Sequence, residues 1–257
     1  MLSQNTLIRL APWLVVLFFG LLWEGIVVAF DVPAFLFPSV SSVWHSTVMH
    51  WDPIMMHATQ TFLTTLAGFA IAVVFGLVVG AAVGSSPIIY KAFYPLLVGF
   101  NSIPKVAFVP VLVVWFGIGT IPAILTAFLI SFFPVVVNVA TGLATLEPEM
   151  EDVLRSLGAS RLDILKKVGL PRAMPYFFAS LKVAITLAFV GSVISETVAS
   201  NLGIGYLMMA ASSSMDMALV FAGLIVIGIM GVAMYELFAL VERKLTGWAH
   251  RNPNGAM

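Results

Sequence analysis

Residues 147–171, EPEMEDVLRSLGASRLDILKKVGLP, interrupt an otherwise apolar chain, and their reading decides the fold. The chain has 257 residues with 12 basic and 12 acidic side chains, and nine of these charges fall between Glu147 and Lys167. Met150, Val153, Leu154 and Leu157 recur at i, i+3, i+4 and i+7, which is one face of a helix. Glu147, Glu149, Glu151, Asp152 and Arg155 take the rest of its surface. Gly158 offers the positive φ that ends helices, and Ser160 with Asp163 three residues on forms a capping box that starts another. Pro171 is expected to stop this second helix, because its ring clashes with the preceding turn and it has no N–H. The pattern predicts two short amphipathic helices joined by the Gly158-Ala159 turn and set between membrane spans, a surface that another protein grips.

Hydrophobic residues make up 61% of the chain and charged ones 9%, against ~25% charged in soluble proteins. That balance implies an all-α, polytopic membrane protein, since a spanning chain satisfies its own backbone and no barrel-like alternation is present. A span needs ~20 apolar residues, and six segments qualify: near 11–30, 61–83, 93–116, 121–144, 174–198 and 217–240. They form one transmembrane domain over residues 1–257, without a linker. The first segment reads as a retained span, since no small-residue cleavage site follows it. Glycines in the run Gly76-x3-Gly80-x3-Gly84 supply small faces for close helix approach. The net charge is zero and no basic tract occurs, which argues against a nucleic-acid partner. No cysteine is present, and His45, His50, His57 and His250 fall in loops or tails outside any metal-ligand spacing, so no metal site is expected.

Loop charges give the orientation. The connections 31–60, 117–120 and 200–216 contain no Lys or Arg. Arg9, Lys91, the cluster from Arg155 to Arg172, and Arg243, Lys244 and Arg251 all fall on the other side. Six alternating spans then leave both termini and the charged island in the cytoplasm. In the long outer loop, Phe35, Phe37, Trp44 and Trp51 suit the membrane interface, and 201–214 reads as a short re-entrant or surface helix.

The pattern Glu151-x6-Gly158-Ala159-Ser160-x9-Leu170-Pro171 resembles the "EAA" loop of inner-membrane permease subunits of bacterial ABC importers. Further pieces are similar to the sulfonate, taurine and nitrate branch. They include Leu36-Phe37-Pro38-Ser39, Ile103-Pro104-Lys105-x-Ala107, Trp115-Phe116-Gly117-Ile118-Gly119, Phe133-Pro134-x3-Asn138-x3-Gly142 and Glu196-x6-Gly203-Ile204-Gly205. Asp152 and Val153 stand where the family has two alanines, which modifies the contact surface. The resemblance implies a second copy of this chain, two cytoplasmic ABC ATPase subunits that bind ATP and Mg, and a periplasmic solute-binding protein. It places the chain in the bacterial inner membrane. No G-x-x-x-x-G-K-[ST] loop occurs, so hydrolysis is expected on the separate ATPase and no cofactor in this chain.

Coupling to that ATPase falls to Glu151, Asp152, Leu154, Leu157, Gly158, Ala159, Ser160 and Pro171. Glu151 orients the first helix against the ATPase, and Gly158 sets the angle between the two. Lys105 lies near the middle of the third span, where a charge costs at least ~2.5–3.5 kcal/mol on insertion scales. Pro104 and Pro110 break that span, and Asn101 and Ser102 add polar groups, so Lys105 faces either a cavity on the translocation pathway or a structural partner. Glu196 either forms an outer gate, pairs with Lys105 or its dimer mate, or caps the turn into Asn201–Gly205. Glu24 suits a helix-packing hydrogen bond near the outer interface, and Lys182 is expected to snorkel toward the cytoplasmic face.

A permease of an ATP-driven importer for a small anion is the reading these residues support. A neutral vitamin-precursor heterocycle is the alternative solute. A secondary transporter is a rival, though no internal repeat of hydropathy is visible. A membrane-embedded enzyme is a second, though the spans lack convergent catalytic groups.

Overall fold

The computed structural model describes residues 4–144 and 153–246, which are helical or in short turns, with no strand among them. In chain order the helices are α1 (Gln4–Ala29), α2 (Val40–Met49), α3 (Trp51–Gly84), α4 (Pro87–Asn101), α5 (Val109–Phe116) and α6 (Thr120–Ala144). After a helical turn at 153–156 come α7 (Arg161–Ile164), α8 (Leu170–Ala199), α9 (Ile204–Ser213) and α10 (Met217–Thr246). Among these, α1, α3, α6, α8 and α10 are each long and apolar enough to cross a membrane. A sixth crossing is a bent one, in which α4 and the limb Lys105–Phe116 meet at 72°.

The third span is therefore broken. Pro104 has no N–H to give back to the α4 ladder, and Ile103 N–H instead closes a tight turn on the Phe100 carbonyl at 3.3 Å. The chain restarts as a 3₁₀ turn, Lys105–Phe108, and passes into α5, where Pro110 sits in the first turn and its missing N–H is harmless. The outer loop also differs from the sequence reading, because most of it is helix. Ser39 caps α2 by accepting the Ser42 N–H at 3.2 Å, and α3 already begins at Trp51. His57, taken as a loop residue, is consequently a buried residue of α3.

Packing follows from small residues at every fourth position of α3. A Cβ on Gly68 would meet Ala127, one on Gly76 would lie 2.6 Å from the Val135 Cβ, and one on Gly80 would lie 2.8 Å from that of Val139. The partner advances along α6 in step with α3, so the two helices run parallel with backbones in near contact. On α8 the order reverses: Gly191 lies on Ala127, while Ala173 lies on Gly142, so α8 is antiparallel to α6. In a bilayer this close approach replaces the hydrophobic drive that lipid cannot supply. Phe69 of α3 meets Phe238 of α10 edge to face at 4.9 Å between ring centres.

Helix α1 is exposed along most of its length and is held at one end. Trp23 Nε1 donates to the Pro38 carbonyl at 3.0 Å, and its ring packs on Phe37 and Phe221. Glu24 accepts from the Ser41 hydroxyl at 2.7 Å and from its N–H at 3.3 Å, the helix-packing role its position suggests. Lys182 has a definite partner: its ammonium lies 2.5 Å from Glu242, toward the hairpin end of α10, and joins α8 to α10. Pairing is required of a charge held between two spanning helices.

Gly80→Val should lower the thermal midpoint of the detergent-purified protein, since a Cβ there meets the Val136 carbonyl oxygen at 2.8 Å and neither backbone has room to retreat. Overpacking of this kind costs about 1–3 kcal/mol. Gly20→Ala on the open face of α1, with nothing within 4 Å, should leave the midpoint unchanged. Equal losses at both positions would contradict the packing scheme.

Candidate functional site

Three arrangements of polar groups stand out of the apolar bundle, and the first is the charged hairpin. Glu151 and Asp152 lie outside the described residues. From residue 153 the chain makes a helical turn and ends it as a Schellman motif: Gly158 N–H bonds the Arg155 carbonyl at 2.9 Å and Ala159 N–H reaches the Leu154 carbonyl at 3.0 Å. Gly158 has φ 84°, and a Cβ there would meet nothing within 4 Å. Conformation alone demands glycine. Ser160 Oγ then accepts the Asp163 N–H at 3.2 Å and donates to the Asp163 carboxylate at 2.5 Å, and the Ser160 backbone N–H bonds that carboxylate in return, the reciprocal pair of a capping box. Leu157 projects into solvent, Leu154 is half-buried, and Ile164 is buried. Between them lies a notch of about 370 Å³ whose rim includes Asp163 and Lys167.

Pro171 does not end the second helix. A π turn, Leu165–Gly169, carries α7 directly into α8, and Pro171 occupies the first turn of α8. The wider turn spares the chain the regular bond that would need a proline N–H, and the first helical turn tolerates proline. The hairpin is thus continuous with a membrane-spanning helix.

Hydrogen bonding from Ser160, and secondarily the Lys167 ammonium 3.6 Å away, hold the Asp163 carboxyl below its ordinary value of 3.8. A depressed acid stabilises the fold in full above its unfolded value and loses that contribution as pH falls through the lower folded one. Hairpin order should therefore be flat with pH from neutrality down to the ordinary aspartate range and fall only below it. Hydrogen exchange at the Asp163 and Ile164 amides measures this, and a transition near neutral pH would contradict it.

The second arrangement is the break at Asn101. Lys105 Nζ donates to the Asn101 backbone carbonyl at 2.7 Å and, in a shorter bond, to its side-chain oxygen. The ammonium thus caps the C-terminus of α4, where the macrodipole favours a cation and the last carbonyls lack partners. It lies 5.8 Å from the centre of the Phe133 ring. An ammonium has three donors, so with two held by Asn101 the third has no partner among the described residues. Asn101 itself is exposed.

The third arrangement surrounds Glu196, which is 2% exposed. Its carboxyl group accepts from Thr61 Oγ1 at 2.7 Å, Thr64 Oγ1 at 3.1 Å and the Gly205 N–H at 3.3 Å. Thr61 Oγ1 in turn accepts the Ile204 N–H at 2.8 Å, and His57 Nδ1 accepts the Gly203 N–H at 3.1 Å. Three successive amides at the start of α9 are therefore taken by side chains of α3 and α8. Gly203, at φ 104°, lies flush on the carboxyl group: a Cβ would fall 2.2 Å from Glu196 Cδ. Of the three roles open to Glu196, the geometry is that of a cap on the turn, and the residue does not pair with Lys105 within this chain.

The sequence reading missed His57, Thr61, Thr64 and Ser192, whose hydroxyl lies 2.6 Å from that of Thr64. His57, Thr61 and Thr64 stand at i, i+4 and i+7. A polar stripe at helical spacing in an apolar span was the available signal.

A bundle with glycine-packed spans, a broken third crossing and a capped hairpin on one face is the frame of a membrane transport subunit. The chain belongs to the binding-protein-dependent transport system inner membrane component family, which matches residues 72–247. It is a permease of ABC importers and not an enzyme; hydrolysis in this family belongs to a separate subunit. A probable ABC transporter permease of Haemophilus influenzae is 32% identical over 88% of this chain and 92% of its own length. The formylaminopyrimidine transport permease of Halalkalibacterium halodurans is 26% identical over 93% and 96%. The taurine transport permease of Escherichia coli is 30% identical over 77% and 70%. A chain of the MetNI methionine ABC transporter, solved in an inward-facing conformation, shares the fold with a TM-score of 0.66 at 18% identity, over 77% of this chain and 97% of that one.

Gly158→Val isolates the role of the turn, because the space around Gly158 is open and only the backbone is strained. The variant should insert and purify normally yet lose stimulated hydrolysis when assembled with its ATPase. Full stimulation in the variant would remove the turn from the coupling path.

Proposed function

We propose that two copies of this chain form the pathway of an importer for a small anion, driven by two cytoplasmic ATPases that bind ATP and Mg. A periplasmic binding protein delivers the solute. Both termini and the 153–169 hairpin face the cytoplasm, by the one-sided distribution of Lys and Arg across the connections. Leu154, Leu157, Gly158, Ala159 and Ser160 present the surface that the ATPase grips, together with Glu151 and Asp152, which precede them in the chain. Pro171 lies where the hairpin passes into α8.

The observation that carries the solute class is Lys105. It is a cation at a break in a membrane helix, with an uncommitted donor beside exposed Asn101. Irregular backbone at this depth is tolerated where it lines a cavity. In a dimer an anion passing the break would meet two ammonium groups already held in place. Similarity to the taurine permease supports this class, and similarity to the formylaminopyrimidine permease favours a neutral heterocycle as the second reading.

Thermal-shift screening of the partner binding protein against sulfonates, nitrate, carboxylates and pyrimidines separates the two. A shift with pyrimidines alone would sink the anion. On the permease, Lys105→Met should abolish uptake while leaving assembly and basal hydrolysis intact. Lys105→Arg should retain part of the uptake, since charge persists with altered geometry. Undiminished uptake by Lys105→Met would make the lysine a helix cap and nothing more.

A further inference from the structure

The clasp on Glu196 uses more of the molecule than a turn requires. Capping a short helix takes one side chain, commonly its own N-cap residue. Here the N-cap is Gly203, which has no side chain, and the three amides of Gly203, Ile204 and Gly205 are bonded by His57 and Thr61 from α3 and Glu196 from α8. The fit has no slack. A Cβ on Gly203 would overlap the carboxyl group, one on Gly205 would lie 2.5 Å from the Val193 carbonyl, and Ile204 between them is fully buried. The start of α9 cannot slide past α8 without breaking the Gly205 bond to Glu196, nor past α3 without breaking the bonds to His57 and Thr61.

Helix α8 has two ends of different kinds. Its first residue continues the π turn from the hairpin helix α7, and Glu196 lies one turn from its last residue. Thirty residues at about 1.5 Å each span about 45 Å, the full depth of a membrane. Its prolines, Pro171 and Pro175, fall in the first two turns, and the rest is unbroken helix. Beyond α9, the turn into α10 is tied by the Asp216 N–H to the Ala211 carbonyl at 2.9 Å and by Leu219 N–H to the Asp216 carboxylate at 3.0 Å. One continuous structure therefore joins the charged hairpin to the opposite-face segment 200–216.

We propose that Glu196 is a positioning residue for transport: it fastens the start of α9 to α8, so that displacement of the hairpin is delivered to segment 200–216 on the outer face. This rests on the sidedness and ATPase drive proposed above. It assigns to Glu196 neither contact with solute nor a proton step. Its effect on transport runs through the Gly205 amide it holds directly and the Ile204 amide it holds through the Thr61 hydroxyl.

Hydrogen exchange by mass spectrometry tests this, on the chain in nanodiscs with its ATPase, nucleotide-free and trapped with Mg-ATP and vanadate. In the wild type the amides of 203–205 should differ in protection between the two states. Glu196→Gln keeps the shape and should lower protection at the Ile204 and Gly205 amides by up to about tenfold, the upper end of the loss expected for one hydrogen bond. It should also erase the difference between states. Glu24→Gln is the control, a carboxyl group capping α2 at the same end; it should loosen the start of α2 and leave the state dependence at 203–205 intact. Equal wild-type protection in both states, or a Glu196→Gln variant that retains the difference, overturns the proposal. The Glu196→Gln comparison is also made on the isolated chain, where unchanged exchange at the three amides overturns the clasp itself. Pull-down of the ATPase reports separately on the functional assignment.

Discussion

A buried backbone N–H or C=O without a partner is expensive, and this chain leaves regular helix both at the break after α4 and at the start of α9. Each departure is closed by a side chain brought in for that purpose. At the break after α4, Lys105 turns back and gives its ammonium to the Asn101 carbonyl. At the start of α9, three amides pass to His57, Thr61 and Glu196. Charged and polar residues that look misplaced in an apolar sequence sit where the ladder stops. This constraint explains why Lys105 and Glu196 do not pair with each other: each already answers to its own break.

Between these points the bundle is tied at both ends. Near α9, Gln60 reaches Thr120 at 3.0 Å, Gly119 N–H bonds the Ala199 carbonyl at 3.0 Å, and the Glu196 cluster joins α3 to α8. Toward the hairpin, Lys182 pairs with Glu242. The glycine-spaced contact of α3 with α6 fills the middle. Tight packing of this sort moves as a unit rather than deforming. Helix α1 and the bent pair α4 and α5 present large exposed apolar faces instead, among them Phe93, Leu96 and Trp115. A tightly packed group of helices beside a broken, exposed one suits the proposed pathway between two copies of the chain.

Much of this was legible in the chain because local chemistry decided it. The positive φ of Gly158, the Ser160–Asp163 box and the four-residue spacing of α3 glycines each follow from residue type and interval. What the chain concealed was where long side chains end. Pro171 reads as a stop, yet a π turn just before it lets the helix run on. Glu242 lies two residues beyond the span drawn to 240, so Lys182 lacked its partner on paper. The hydroxyls of Thr61 and Thr64 carry no direction in sequence, because a threonine in a helix often bonds its own ladder, as Thr126 does to the Pro122 carbonyl at 2.7 Å.

The central claim is that this chain supplies the pathway but not the energy, which enters through the hairpin from a separate ATPase. Reconstitution in sealed vesicles tests it most directly. With the ATPase, the binding protein and Mg-ATP, the solute identified for that binding protein should accumulate against its gradient; with this chain alone it should not. Accumulation by this chain in the absence of any ATPase would contradict the account.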